Sequence, residues 1–318
     1  MPDIDKLSDQ ATRALLAKEV QYERRIASVL KKALDEIRSE MSKIFEKYAV
    51  DGILTKAEMS RYARYTSMEQ SILSKLDPAI KANLATLKRL QPEQYNAAFF
   101  QSAWVIDNAA SVRLSWGIIN TKAIRAAYAI TDPENKAMAE ALKNYSMTAR
   151  RKIRVALNDG LAQGKSYIQM ARDLKNALNK IHSSAMLIVR TEGQAAIAAG
   201  TADAYDRALE QGIEGAVTWS STLDYKTRRP TKYSNADHRV MDGQVRDAEG
   251  LFHFESTGET APYPCWEGLS AEQRCNCRCR IRMDIAGYSP ELRRTRENGL
   301  IPYQSYADWS ENYGPKIH

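Results

Sequence analysis

The sequence lacks any long apolar run. No stretch approaches the roughly 20 consecutive apolar residues that a membrane-spanning helix needs. The opening residues, Met-Pro-Asp-Ile-Asp-Lys, have neither the basic start nor the apolar segment of a secretory signal. We therefore expect a protein with no membrane contact, which stays in the cytoplasm that makes it.

Cysteine and histidine are scarce, with four of each among 318 residues. A cytoplasmic protein has little use for disulfides, because that compartment keeps thiols reduced. The aspartate spacing of a calcium-binding loop is absent, and so are internal repeats and low-complexity segments. All four cysteines lie between 265 and 279, which places any special chemistry in the C-terminal half.

A strong excess of either charge is also missing. The 46 basic residues are interspersed with 39 acidic ones, for a net charge of +7. This mild balance favours a solvated helical surface over a dedicated nucleic-acid-binding face. Basic residues are densest at Arg228-Arg229 and from Arg274 to Arg282, where we expect any phosphate contact. The candidate DNA-contacting residues in the second segment are Arg278, Arg280 and Arg282.

Helical periodicity dominates the first two thirds of the chain. Apolar residues recur every three or four positions and predict one long helix over residues 8–48. This stripe could pack inside the protein or against a partner, and we favour mostly internal packing; its residues are Ile26, Leu30, Leu34, Ile37, Met41, Ile44 and Tyr48. Capping boxes at Thr55–Glu58 and Ser166–Gln169 predict helix starts. Further starts are predicted at Asp77-Pro78, Pro92, Asp132-Pro133 and Ser183.

The period changes to that of strands after residue 215. Val217 and Trp219 alternate with polar neighbours, and Asp242-Gly243 predicts a type I′ hairpin turn. Between 277 and 283, alternation puts cysteines and apolar residues on one face and arginines on the other. The predicted fold class is α+β: a long, mainly α-helical N-terminal region followed by a small antiparallel, cysteine-containing module.

The cysteines predict a metal site. Five soft ligands lie within about forty residues, a clustering that suits one zinc ion; they are His238, Cys265, Cys275, Cys277 and Cys279. The spacing Cys-x-Cys-x-Cys differs from the paired Cys-x-x-Cys of common zinc modules. Plain reduced thiols, and less readily a disulfide, are the alternatives. We favour zinc on Cys277 and Cys279, completed by His238 and either Cys265 or Cys275.

Catalytic interpretations have weaker support. His238 and Asp242 could form an acid–base pair. Together with His253 they could form a metal-dependent nuclease site, but the basic groove with clustered carboxylates that such a site needs is missing. Arg190 and the Ser220-Ser-Thr222 segment invite comparison with ADP-ribosyltransferases, yet no Glu-x-Glu or Gln-x-Glu follows. We instead expect Arg190 and Glu192 to be partly buried and to form ion pairs with Asp224 and Arg228.

The order of these residues resembles the phage head-morphogenesis, or Mu F-like, minor head protein family. The resemblance covers roughly 150–285 and rests on Gly164-Lys-Ser166, Arg190-Thr-Glu192, Trp219, Asp224, Thr227-Arg228, His238, Asp242-Gly243 and Asn276-Cys-Arg-Cys279. In the family pattern a histidine usually matches His238 and cysteines match Cys277 and Cys279. Cys265 and Cys275 are additions in this chain, so the resemblance does not imply a four-cysteine site.

The resemblance implies a domain order and a role. Residues 1–150 would be a helical docking region, residues 151–285 the head-morphogenesis domain, and residues 286–318 a tail. Within the domain, helices would occupy 151–212 and the small sheet with the cysteines 213–285.

The implied protein is a minor capsid component of the virion, made in the host cytoplasm, without catalytic activity. It would associate with the portal protein during head assembly and assist DNA packaging or delivery, with packaged double-stranded DNA and other capsid proteins as further candidate partners. The alternative is a phage-encoded effector enzyme, either ADP-ribosyltransferase-like or a nuclease.

Overall fold

The structure, a computed structural model, describes residues 4–116, 136–286, 291–295, 299–304, 308 and 311. Its helices are α1 (Ile4–Tyr48), α2 (Lys56–Ser60), a 3-10 turn (Arg61–Ala63), α3 (Arg64–Ala109), α4 (Lys136–Ala162), α5 (Tyr167–Glu210) and the short α6 (Ala271–Arg274). Its strands are β1 (Gly215–Ser220), β2 (Phe252–Phe254), β3 (Glu259–Ala261), β4 (Arg280–Ile285), β5 (Leu292–Thr295) and β6 (Gly299–Pro302). The α+β prediction is confirmed. None of the described helices is both long and apolar enough to cross a membrane.

The chain forms two compact units. One consists of the described residues within Met1–Glu19, Leu90–Ala129 and Arg190–His318, and the other of those within Val20–Arg89 and Ile130–Val189. We call the second the helical unit. Each unit draws on segments far apart in the sequence. The linear division at residues 150 and 285 stays a prediction.

The apolar stripe of α1 is internal. Ile26, Ile37 and Met41 are fully buried, and Leu30 and Ile44 nearly so. The single long helix predicted from this periodicity is confirmed, since α1 runs without a break for 45 residues. The stripe is therefore covered by the protein itself, which confirms the favoured internal packing, and this face does not offer an exposed docking surface.

Two of the predicted helix starts use their capping residues as expected. The Thr55 hydroxyl accepts a hydrogen bond from the Glu58 amide at 3.2 Å, just before α2. The Gln169 side-chain oxygen accepts one from the Ser166 amide at 2.9 Å, just before α5. Each bond satisfies an amide that would otherwise lack a partner at a helix end.

Three other predicted starts are wrong. Helix α3 continues through Pro78, which is exposed, and Pro92, which is half-buried. A proline removes one amide hydrogen bond, but burial along a 46-residue helix outweighs that cost. Helix α5 continues through Ser183, whose hydroxyl donates to the Asn179 carbonyl at 3.0 Å and so is satisfied inside the helix. The start predicted at Asp132-Pro133 lies outside the described residues.

The strands form antiparallel pairs. β1 pairs with β4, with Trp219 opposite Ile281, while β2 pairs with β3 and β5 with β6. The other edge of β1 carries the segment after Gly243, because the Trp219 amide donates to the Gln244 carbonyl at 2.8 Å. The predicted type I′ turn is wrong: such a turn needs two positive φ angles, and here Gly243 has one but Asp242 does not.

We call residues 215–286 the cysteine module. Its core surrounds Trp219, which is fully buried and meets the rings of Phe252 and Phe254 edge-on at centroid distances of 5.2 and 5.4 Å. Helix α5 packs small side chains such as Ala195 and Ala202 into this core. Elsewhere on α5 a Cβ added at Gly200 would lie 2.4 Å from the Tyr95 carbonyl, so only glycine permits the close approach of α3.

Candidate metal centre

Three of the five predicted ligands come together in the cysteine module. The sulfur atoms of Cys277 and Cys279 each lie 3.4 Å from Nδ1 of His238. All three donor atoms lie within 4.8 Å of one another, the only such cluster in the described part of the chain. The three side chains are buried, with exposed fractions of 5% or less. The fold therefore assembles a compact, water-excluded set of soft ligands.

Helix α5 holds the cysteine loop through polar side chains. The Thr191 hydroxyl accepts a hydrogen bond from the Asn276 amide at 3.1 Å, and the Gln194 amide donates to the Cys279 carbonyl at 2.9 Å. Asn276 has a left-handed backbone with φ +55°, which turns the chain between α6 and the ligands. These contacts position Cys277 and Cys279 from outside the cluster.

A buried glutamine orients the histidine ring. Nε2 of His238 lies 2.7 Å from Oε1 of Gln273, and the Gln273 amide nitrogen donates to the Thr257 hydroxyl at 2.9 Å. This arrangement assigns Oε1 as an acceptor, so Nε2 of the imidazole carries the proton. Nδ1 then presents its lone pair to the two sulfurs. This is the tautomer that a metal ligand requires.

The chemistry of the donor set fits a zinc ion. One Nδ1 lone pair can accept a hydrogen bond from one thiol, yet Cys277 and Cys279 lie equally close to it. In a tetrahedral zinc site, Zn–S bonds of about 2.3 Å and Zn–N bonds of about 2.0 Å put sulfur and nitrogen roughly 3.5 Å apart. The observed 3.4 Å matches that separation.

Both thiols resist ionisation in the protein alone. A hydrogen bond with Cys265, reinforced by burial, raises the pKa of Cys277 well above the usual thiol range. Burial raises the pKa of Cys279 in the same direction. Binding of a metal therefore requires the loss of two thiol protons, which makes its affinity dependent on pH.

The two remaining predicted ligands lie outside the cluster. Cys265 is fully buried, and its sulfur lies 3.6 Å from the Cys277 carbonyl and 3.5 Å from the Arg274 carbonyl. Cys275 is only half-buried, and its carbonyl accepts a hydrogen bond from Arg228 at 2.5 Å. All four cysteines are free thiols. Cys265 is thus the better placed of the two candidates.

The predicted partial burial of Arg190 is wrong, whereas its ion pairing stays a prediction. Arg190 is exposed, whereas Glu192 is 4% exposed and pairs with Arg274 at 2.7 Å and with Gln91 at 3.0 Å. Residues two apart on a helix point in different directions, so the two could not share one buried site. Burial raises the pKa of Glu192, against the opposing effect of Arg274.

The other motif carboxylates are also buried in ion pairs. Asp224 accepts two hydrogen bonds from Arg278, at 2.6 and 3.0 Å, a partner that the sequence did not predict. Asp242 pairs with Arg293 at 2.7 Å and accepts a hydrogen bond from the Ser221 amide at 2.8 Å. This explains why the hairpin prediction failed: the Asp242 side chain is a buried structural anchor.

Sequence reasoning missed several residues of this site. Gln273, Arg274 and Arg293 complete the networks around the ligands, and Thr191 and Gln194 brace them. The high density of basic residues from Arg274 onward was a sequence signal for Arg274. The other residues gave no sequence signal, because their partners lie far away along the chain.

Two of the three arginines proposed for DNA contact form ion pairs with carboxylates of the protein. Arg278 pairs with Asp224, and Arg282 pairs with Asp284 at 2.8 Å and lies over the Tyr303 ring. Burial lowers the pKa of Arg280. A phosphate contact by these three residues stays a prediction.

The segment that contains the clustered ligands also matches a known protein family. The family described as Phage Mu protein F like protein matches residues 151–282, which include all three clustered ligands. Over 298 residues, 92% of either chain, the protein is 27% identical to Minor head protein GP7 of Bacillus phage SPP1. Residues 151–282 thus match the phage head-morphogenesis, Mu F-like family, and the similarity to a minor head protein supports that assignment.

A second relative has the name of an enzyme. The chain is 30% identical over 175 residues to NAD(+)--arginine ADP-ribosyltransferase EFV of Enterococcus faecalis strain ATCC 700802 / V583. The match covers 55% of this chain but 34% of that relative, so the shared part is about a third of the enzyme's length. No solved structure gave a significant match.

Proposed function

We propose that this Mu F-like chain is a structural component of the phage head, which associates with the portal protein during assembly and assists DNA packaging or delivery. The observation that carries the proposal is similarity to a minor head protein along 92% of both chains. That similarity extends over the long helices as well as the cysteine module. Other capsid proteins are further candidate partners, and the virion is the proposed location.

An exposed aromatic pair offers a docking point for the portal protein. Phe100 and Trp104 lie one turn apart on α3 and are 54% and 42% exposed. Large aromatic side chains dominate the binding energy of many protein interfaces. We therefore place the portal contact here, in place of the buried stripe of α1.

Co-purification of the full-length chain with its portal protein tests this assignment. Phe100→Ser/Trp104→Ser should lose the complex. The control Met147→Ser/Ile168→Ser, at positions that are 61% and 69% exposed, should keep it. Equal retention by both variants would move the interface elsewhere, and failure of the parent chain to bind would overturn the portal proposal.

We also propose that the module holds one zinc ion through His238, Cys277 and Cys279, with Cys265 as the fourth ligand. Cys265 is favoured over Cys275 because it lies close to Cys277 and is completely buried. Zinc in such a closed site supplies folding energy by cross-linking loops. Here it would join the chain around His238 to the turn before β4, giving the head a rigid module.

The second candidate function is ADP-ribosyl transfer, favoured by the match to the Enterococcus enzyme. Against it, the match covers about a third of that enzyme, and Glu192 is buried in an ion pair with Arg274. Incubation with NAD, and separately with plasmid DNA and a divalent metal, distinguishes the candidates. We expect no turnover; cleavage of either substrate would replace the structural proposal with an enzymatic one.

A further inference from the structure

An exposed basic loop protrudes beside the metal centre. We call residues 225–235 the basic loop; it joins β1 to the segment that carries His238. Tyr225 and Tyr233 are 55% and 84% exposed, and Lys226, Arg229 and Lys232 are exposed with them. The loop contains no acidic residue. It therefore presents positive charge and aromatic rings together to solvent.

Hydrogen bonds at both ends and in the middle of this loop order its backbone. Asp224, which is 1% exposed, accepts a hydrogen bond from the Lys226 amide at 2.9 Å. The Thr231 amide donates to the Ser234 carbonyl at 2.7 Å, and the His238 amide donates to the Arg228 carbonyl at 3.0 Å. A loop held in this way loses little conformational entropy when a partner binds.

The exposed cations of the loop have no carboxylate partner among the residues that the structure describes. Within the described residues, no acidic group lies within ion-pair distance of Lys226, Arg229 or Lys232. The ammonium groups of Lys226 and Lys232 lie over the rings of Tyr225 and Tyr233, at 5.4 and 4.6 Å from their centroids. The loop differs in this respect from Arg278 and Arg282, which already have carboxylate partners.

We propose that the basic loop is the nucleic-acid contact of this chain, with its cations on backbone phosphates and its tyrosines against sugars or bases. Phosphate attraction of this kind is independent of sequence, and aromatic rings add a stacking surface. A cation beside a ring suits a polymer of alternating phosphates and planar bases better than it suits an acidic protein surface. The inference rests on the DNA part of the proposed function and is independent of portal binding.

Fluorescence anisotropy with the full-length protein tests the proposal. The probes are a labelled duplex and a labelled single strand, each titrated over a range of salt concentrations. We expect Lys226→Gln/Arg229→Gln/Lys232→Gln to weaken duplex binding at least about tenfold at low salt. The negative slope of log affinity against log salt concentration should become shallower by roughly two to three, because three phosphate contacts are lost.

The matched control removes the same charge from exposed helical positions. Lys31→Gln/Lys81→Gln/Lys88→Gln should change affinity less than about threefold and leave the salt slope nearly unchanged. Tyr233→Ala should weaken single-strand binding more than duplex binding. Both triple variants should melt like the parent, since none of the six residues makes an ion pair with a described residue.

Other outcomes overturn the inference. Equal losses in the two triple variants would show that only total charge matters. Competition by polyglutamate as effective as competition by DNA would assign the loop to an acidic protein surface, and equal competition by inorganic phosphate would reduce it to a simple anion site. Portal co-purification of the loop variant reports on the proposed function separately.

Discussion

The helical unit and the cysteine module are stabilised in different ways. In the helical unit, apolar residues such as Ile26, Ile37 and Leu76 are fully buried along long helices. In the module, polar and charged residues are buried together, and they include Thr218, Ser221, Asp224, Thr227, Asp237, His238 and Gln273. Apolar burial is non-directional and sums many small contributions, whereas a buried polar group depends on one particular partner. Single substitutions should therefore be far more damaging in the module.

The largest effect should follow removal of the metal. Protein purified without chelator should contain about one zinc ion per chain by elemental analysis, because His238, Cys277 and Cys279 form a closed soft site. Chelation, or Cys279→Ser, should abolish cooperative unfolding of the module, since structural zinc contributes roughly 10 kcal/mol or more in small domains.

Cys275→Ser is the control for the metal prediction, because Cys275 is half-buried and lies outside the cluster. It should retain zinc and the parent melting temperature. Metal-free protein that melts identically with and without chelator would show instead that Cys277 and Cys279 are reduced core thiols.

The next largest effect should come from the buried ion pair. Arg274→Ala leaves the Glu192 carboxylate buried without its cation and should cost about 3 kcal/mol in the free energy of unfolding. Arg190→Ala, at an exposed position on the same helix as Glu192, should cost less than about 1 kcal/mol in the free energy of unfolding. Urea denaturation measures both. Equal effects would mean that the module tolerates loss of a buried partner as readily as loss of a surface contact.

A smaller effect is expected in the apolar core of α1. Ile37→Val removes one methylene from a fully buried position and should cost about 1 kcal/mol, because neighbouring side chains can close part of the gap. Thermal melts should remain a single transition. A loss as large as that of Arg274→Ala would remove the distinction between the two regions.

The smallest effect should come from the ion pair between Asp9 on α1 and Arg294 on β5. The hydrogen bond from Arg294 holds the pKa of Asp9 below its ordinary value. The pair therefore contributes stability above the unfolded pKa, near pH 4, and loses it as pH falls through the lower folded value. Asp9→Asn should cost less than about 1 kcal/mol at pH 7.

The difference between Asp9→Asn and the parent should shrink in acid, where Asp9 of the parent is itself protonated. Unfolding free energies at pH 7 and at about pH 3 measure this change. A difference that is constant over this range would show that the Asp9 carboxylate gains nothing from Arg294.

Local signals predicted local structure well in this chain. The periodicity of Ile26 to Met41 predicted α1, and the Thr55 and Ser166 boxes predicted helix starts. The same signals failed at Pro78 and Ser183, where packing of a long helix outweighed a local preference for a break. A capping residue reports what its own backbone favours, and tertiary burial can exceed that preference.

The candidate site was predictable in its chemistry but not in its pairing. The clustering of His238 with the cysteines is visible in the sequence, because soft ligands have few other reasons to gather in one segment. The partner of Glu192 was not visible, since Arg274 lies 82 residues further along the chain.

The sequence by itself thus determined the long helices, the change to strands and the set of soft ligands, because each depends on residues close together in the chain. Only the tertiary structure decided that three of five ligands converge, that Gln273 sets the His238 tautomer, and that Arg274 and Arg293 neutralise the buried carboxylates. These contacts join residues that are close in space but far apart in the sequence. A polar group buried away from water is stabilised only if a partner reaches it, and without a partner its burial lowers the stability of the fold.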